Sequence, residues 1–268
     1  MNTNVNLEAA MAALLFVGGC ALLFVIFLLG AHALFKRRLG RMKALLLSAC
    51  GLAAVYLCLM LVFSLMSRER VLERGEEKYF CEIDCHLAYS VVDVLRTKTV
   101  GEAANLATAR GVFYVVTVRT RFDEQTVSSG RGDAPLTPNS RVLTVEDAEG
   151  ASYAPSPEGM RALELSRQGG TNISSPLRPG EAYTSTFIFD LPEGVRSPAL
   201  LMKEGEIVTR FLIGHENSPL HKKVLFSLNE TQKKQAVAMS SGNLGRRLGS
   251  HMKGVVNAVI RKLRDTFH

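Results

Sequence analysis

From Ala9 to Phe35 the chain carries no Asp, Glu, Lys or Arg in 27 residues, and the 23 residues 44–66 carry none either. At about 1.5 Å of rise per residue, each run is long enough as a helix to cross a hydrocarbon core of roughly 30 Å. Two uncharged helices of this length are foreign to a water-soluble core, so they predict a transmembrane hairpin. Lys36, Arg37, Arg38, Arg41 and Lys43 crowd the short loop 36–43, whereas residues 1–8 carry only Glu8. Basic clusters of this kind stay in the cytoplasm. The expectation is therefore a multi-pass protein of the inner or plasma membrane. Both termini and everything after Met66 lie on the outer, periplasmic or extracellular, side. A cleaved signal peptide is the competing reading, because Ala31-His32-Ala33 has the small-x-small form of a cleavage site. It lacks a basic n-region, and its apolar run far exceeds the usual h-region of about 7–15 residues.

The formal charge of +7 suggests nucleic-acid binding only until it is divided by segment. The loop 36–43 contributes +5 and the tail from Met239 another +5, which leaves −3 for the remainder. The outer segment is no basic patch, and nucleic acid loses its electrostatic support as a partner.

After the second helix, "SRERVLERGEEKY" carries both signs and reads as a solvated stalk over 67–78. From Tyr79 the periodicity changes to two. In "GVFYVVTVRTRF", Val112, Tyr114, Val116 and Val118 alternate with Phe113, Val115, Thr117 and Arg119, the pattern of a central strand. "RVLTVED", "EAYTSTFIFDL", "EIVTRFLIG" and "KKVLFSL" read as further strands, and "ALELSR" as a strand or one helical turn. The stretches between them are rich in Gly and Pro. Roughly seven strands without long helices between them predict an all-β antiparallel sandwich over 79–230.

Within that region, "LRPGEAYTSTFIFDLPEGVRSPALLM" has Pro179-Gly180-Glu181 opening a strand that ends in Phe189-Asp190-Leu191-Pro192. Together with "FYVVTVRTRFDEQT" and the hairpin "DAEGASYAPSPEG" at 147–159, it resembles the exported bacterial immunoglobulin-like domain of unknown function. That family is related to secreted mycobacterial antigens and many lipoproteins. The resemblance spans about 79–228 and implies an immunoglobulin-like sandwich acting as a binding or interaction module, with no catalytic residues to carry over.

"KYFCEIDCHLAYSVVDV" brings Cys81, Cys85 and His86 close in sequence. On a continuous strand Tyr79, Cys81, Ile83, Cys85 and Leu87 share one face, with His86 on the other. The two sulfurs then stand about 13 Å apart, too far for one disulfide or one metal ion. That favours free thiols packed in the sandwich. Cys20, Cys50 and Cys58 fall inside the apolar runs, so Cys81 and Cys85 are the two thiols of an outer, oxidising compartment. If the segment turns instead, they can form a disulfide, or bind copper with His86, His215, His221 or Met202, since soft thiolates select copper. "GHENSPLH" is no zinc-protease motif: its histidines are six apart, with Pro219 between them.

The tail 231–268 places Leu244, Leu248, Met252, Val255, Val256, Val259, Ile260 and Leu263 on one helical face, with Arg246, Arg247 and Lys253 on the others. This predicts a basic amphipathic helix that lies on lipid or docks onto a partner helix. No phosphate loop, nucleophile elbow, zinc-protease or calcium-loop pattern occurs. The expected function is a non-catalytic, cofactor-free, membrane-anchored module that contacts another envelope membrane protein; a copper-binding or thiol-redox protein is the alternative.

Overall fold

The computed structural model describes residues 2–81, 85–127 and 130–229. Two helices, α1 (Ala9–Phe35) and α2 (Leu39–Met66), are long and apolar enough to cross a membrane. Ala9, Ala12 and Ala33 of α1 and Ser64 of α2 are their buried residues. Helices that are apolar around their whole circumference require apolar surroundings. Helix α2 begins before its charge-free run does, so Arg41 and Lys43 lie in its first turns and only residues 36–38 separate the helices. Leu, Arg, Met and Lys are all good helix formers, and charge ends the apolar run without ending the helix. Lys36 caps α1, Arg38 opens α2, and Arg37 makes the reversal at φ 52°.

Both open ends of the hairpin, opposite its turn, run into a β-rich region of two five-stranded sheets. The first has the order β1 (Asn2–Thr3), β3 (Lys78–Phe80), β4 (Leu87–Val100), β5 (Ala107–Phe122) and β8 (Ala182–Leu191). The second has the order β2 (Arg70–Leu72), β10 (Val224–Ser227), β9 (Ala199–Glu204), β6 (Arg141–Glu146) and β7 (Ser152–Tyr153). Strand β1 precedes the hairpin and edges the first sheet, parallel to β3. Strand β2 follows the hairpin and edges the second sheet, parallel to β10. The other pairings are antiparallel. The stretch 67–78 is therefore no free stalk: Arg70–Leu72 form β2, Lys78 opens β3, and Leu72 and Lys78 are buried. Residues 1–8 are likewise no free tail where the structure describes them.

One buried cluster draws on both sheets: Leu87, Tyr89, Val91, Val116, Val118 and Phe122 from the first meet Leu143, Val145, Leu200, Met202 and Phe226 from the second. Helix α3 (Pro157–Leu165) covers the other face of the first sheet, where Leu163 meets Phe113 and Ile188. Ser156 starts it by accepting from the Gly159 N–H at 3.2 Å. A Cβ on Gly159 would stand 2.6 Å from Ile188 Cγ2, so only glycine allows this approach. "ALELSR" thus falls at the end of a helix.

Two expected strands differ from the structure. "EIVTRFLIG" forms a 3₁₀ turn, Ile207–Phe211, held by Thr209, whose N–H and hydroxyl both donate to the Glu206 carbonyl. The continuous strand through Cys81 and Cys85 is broken into β3 and β4. The amphipathic helix expected over 231–268, with Leu244, Leu248, Met252, Val256, Val259 and Leu263 as its apolar face, lies outside the described residues.

Candidate functional site

The chemistry-bearing residues of the β region gather where the N-terminal segment enters it. Residues 2–6 run between β3 and the loop 212–218. Asn4 N–H donates to the Tyr79 carbonyl and Asn6 N–H to the Gly214 carbonyl, while the Glu216 N–H donates to the Asn4 carbonyl. Gly214 permits this crossing: its φ is +78°, and a Cβ would stand 2.7 Å from Asn6 Oδ1 and from Leu7 Cβ.

The Asn4 side chain is fully buried. Its Oδ1 accepts from the Cys81 N–H at 2.8 Å, and its Nδ2 donates to Glu204 Oε1 at 2.9 Å. His215 Nδ1 accepts from the Asn217 N–H at 3.0 Å, and its Nε2 stands 3.5 Å from Glu204 Oε2 and 3.3 Å from Asn4 Nδ2. Beside this cluster Lys78 Nζ, at 0% exposure, donates to both Glu216 carboxylate oxygens at 2.9 and 2.8 Å and to the carbonyls of Met202 and Val224. Burial pushes the Lys78 ammonium down and the Glu216 carboxyl up, each opposed by attraction to the other. Four acceptors around a three-proton donor leave this charge fully matched. Arg141 lies over the Phe80 ring, 4.3 Å from its centroid.

Cys81 and Cys85 are joined in a disulfide with their Cα atoms 4.0 Å apart. The separated, packed thiols expected from an unbroken strand are thus corrected: the chain turns between β3 and β4 and the sulfurs meet. The other proposed copper ligands are engaged separately. His86 stacks on Phe122 and its Nδ1 lies 2.6 Å from Thr126 Oγ1; His221 Nδ1 meets the Lys222 carbonyl; Met202 is in the core. Cys81 and His215 border one cavity of about 170 Å3. Among the described residues no group of three or more His, Cys, Asp or Glu could hold a metal ion. Sequence reasoning had no signal for Asn4, Lys78, Glu204 and Glu216; the weak period-two alternation of "NTNVN" was the one local hint of β1.

A second polar cluster ties β3 to β5 at the surface. Arg121 Nε and Nη2 donate to the two Glu77 oxygens at 2.8 and 2.7 Å, and the Tyr79 hydroxyl donates to Asp123 Oδ2 at 2.6 Å. Hydrogen bonding from Arg121 is the main cause that holds Glu77 below the usual carboxylate range. Burial works against ionised Asp123, but hydrogen bonds from Tyr79 and Arg121 outweigh it, so its pKa is also lowered. Both acids therefore stabilise the fold above their unfolded values near 4.3 and 3.9, and this contribution is lost as the pH falls through the lower folded values. Glu77→Gln should destabilise the chain at neutral pH, and the difference from the parent should narrow in acid, as the pH falls below the unfolded value of Glu77. Urea titrations in detergent at both pH values check this; a pH-independent difference would show that the ion pair is not its source.

No family model matches the chain, and no curated protein matches it. Three similar solved structures are each 14% identical. The secreted protein MPT63 of Mycobacterium tuberculosis covers 60% of this chain and 98% of its own, with a TM-score of 0.37. The yjhA protein of Bacillus subtilis covers 59% and 100%, also at 0.37. A conserved hypothetical protein of Bacillus anthracis covers 44% and 82%, at 0.32.

Proposed function

We propose that the chain is a two-pass, membrane-anchored binding or assembly module of the bacterial envelope. It is non-catalytic, with an immunoglobulin-like β-sandwich on the outer face that meets another envelope membrane protein. The observation that carries this reading is the double attachment of the sandwich. One hairpin end supplies β1 to the first sheet and the other supplies β2 to the second. A domain held this way has little freedom to tumble, and confinement at the membrane raises its effective concentration against neighbours in the same plane. The Cys81–Cys85 disulfide favours an oxidising, outer compartment for the sandwich. The five basic residues at the far turn of the hairpin favour the cytoplasm for that end, and the two preferences agree.

The sandwich offers isolated exposed apolar side chains, among them Leu95 and Leu106 on the β4–β5 hairpin and Val142 on β6. A photoreactive amino acid at each of these positions in the intact chain, activated in cells, should give a discrete adduct with an envelope membrane protein from at least one of them. A membrane-inserted, folded chain that gives no adduct from any of the three would overturn the assembly role.

A further inference from the structure

The 3₁₀ turn 207–211 exposes three large apolar side chains in five residues: Ile207 at 72%, Phe211 at 54% and Val208 at 43%. Its position gives that exposure a meaning. The Tyr56 hydroxyl donates to the Phe211 carbonyl at 2.6 Å. Tyr56 lies ten residues before Met66, the outer end of α2, or about 15 Å along the helix axis. The turn thus hangs down beside the helix instead of standing on its end. Val208 and Leu212 also border the cavity of about 170 Å3 that is lined by Ala9 and Ala12 of α1. The turn is anchored from above by Thr209, buried and accepting from Asn217 Nδ2 at 2.7 Å, which leaves its neighbours pointing away from the sandwich.

We infer that residues 207–211 form a membrane-dipping element, with Ile207, Val208 and Phe211 in the acyl-chain region of the outer leaflet next to the hairpin. The inference rests on α1 and α2 spanning the bilayer. The occupant fits the chemistry. Tyr56 brings the turn to a depth where water is scarce, and in water an apolar triplet of this exposure would be costly. Exposed Arg210 has a stem long enough to return its charge to the phosphate level. The element would give the sandwich a third hold on the membrane and fix which of its edges faces neighbouring proteins.

The sequence contains no tryptophan, so single-tryptophan variants report one position each. Ile207→Trp and Phe211→Trp, in the intact chain reconstituted into phosphatidylcholine vesicles, should emit at blue-shifted wavelengths. They should lose fluorescence several-fold when the lipid carries brominated acyl chains. Leu95→Trp, on the sandwich, should keep its intensity, and Leu57→Trp, on the exposed face of α2, should be quenched. Quenching at Leu57→Trp without quenching at either turn position would overturn the dipping element and leave the spanning helices standing. No quenching at Leu57→Trp would overturn the spanning helices and, with them, this inference.

Discussion

Lys78→Met in the intact chain is expected to lower its unfolding free energy by about 3–5 kcal/mol, the cost of leaving one partner of a buried ion pair uncompensated. The other partner is Glu216, 2% exposed, whose carboxylate would lose both of its hydrogen bonds from Lys78 Nζ. Two main-chain carbonyls, those of Met202 and Val224, would lose a donor at the same time. Adding Glu216→Leu to Lys78→Met removes the stranded charge and should recover part of the loss. Recovery should be incomplete, because each stranded carbonyl still costs about 1–3 kcal/mol. Urea unfolding of the detergent-solubilised parent, both single variants and the double variant closes the cycle. A Lys78→Met chain as stable as the parent would mean that this pair does not hold β3 against the second sheet.

Asn4→Ala should cost about 2–6 kcal/mol, because it strands two buried groups on different elements, each worth roughly 1–3 kcal/mol. The Cys81 N–H loses its acceptor, and Glu204 loses the nearest donor to its Oε1. Asn2→Ala is the control: this residue sits nearer the surface on the same N-terminal segment, with hydrogen bonds to the Glu77 carbonyl and from Arg70. It should cost no more than about 1 kcal/mol. Thermal unfolding of the three chains in one detergent separates a keyed attachment from passive contact; equal effects at both positions would leave Asn4 without its special role.

The helices were legible because their signal is local and strong: lipid demands an uncharged run, and the chain supplies two. The central strand was legible for a similar reason, since its Val and Tyr alternation lies wholly inside β5, and β6, β8 and β10 fall where period-two segments occur. The errors arose where distant partners override local pattern. "SRERVLERGEEKY" looks solvated because Lys78 is charged, and nothing nearby says that Glu216 lies waiting in the core. "EIVTRFLIG" has strand composition, yet β9, from the plainer "ALLMKE", holds the place in the sheet, and the Thr209 side chain curls the later segment into a 3₁₀ turn. At Cys81 and Cys85 the regular alternation argued for an extended chain, but a covalent bond four residues apart in sequence overrides pleat geometry. The membrane-facing turn had no sequence signature at all, because its depth is set by Tyr56, more than 150 residues earlier.

The placement of β1 also sets a timetable. Next to β1, the Asn4 side chain donates to Glu204, a residue two hundred positions later in the chain. Strand β1 can pair with β3 as soon as residue 80 has been made, but the Asn4 amide has to wait for its Glu204 acceptor until β9 is in place. Locking of this segment is then a late step of folding, and a product cut short before β9 would hold β1 at the sheet edge without its Asn4–Glu204 bond.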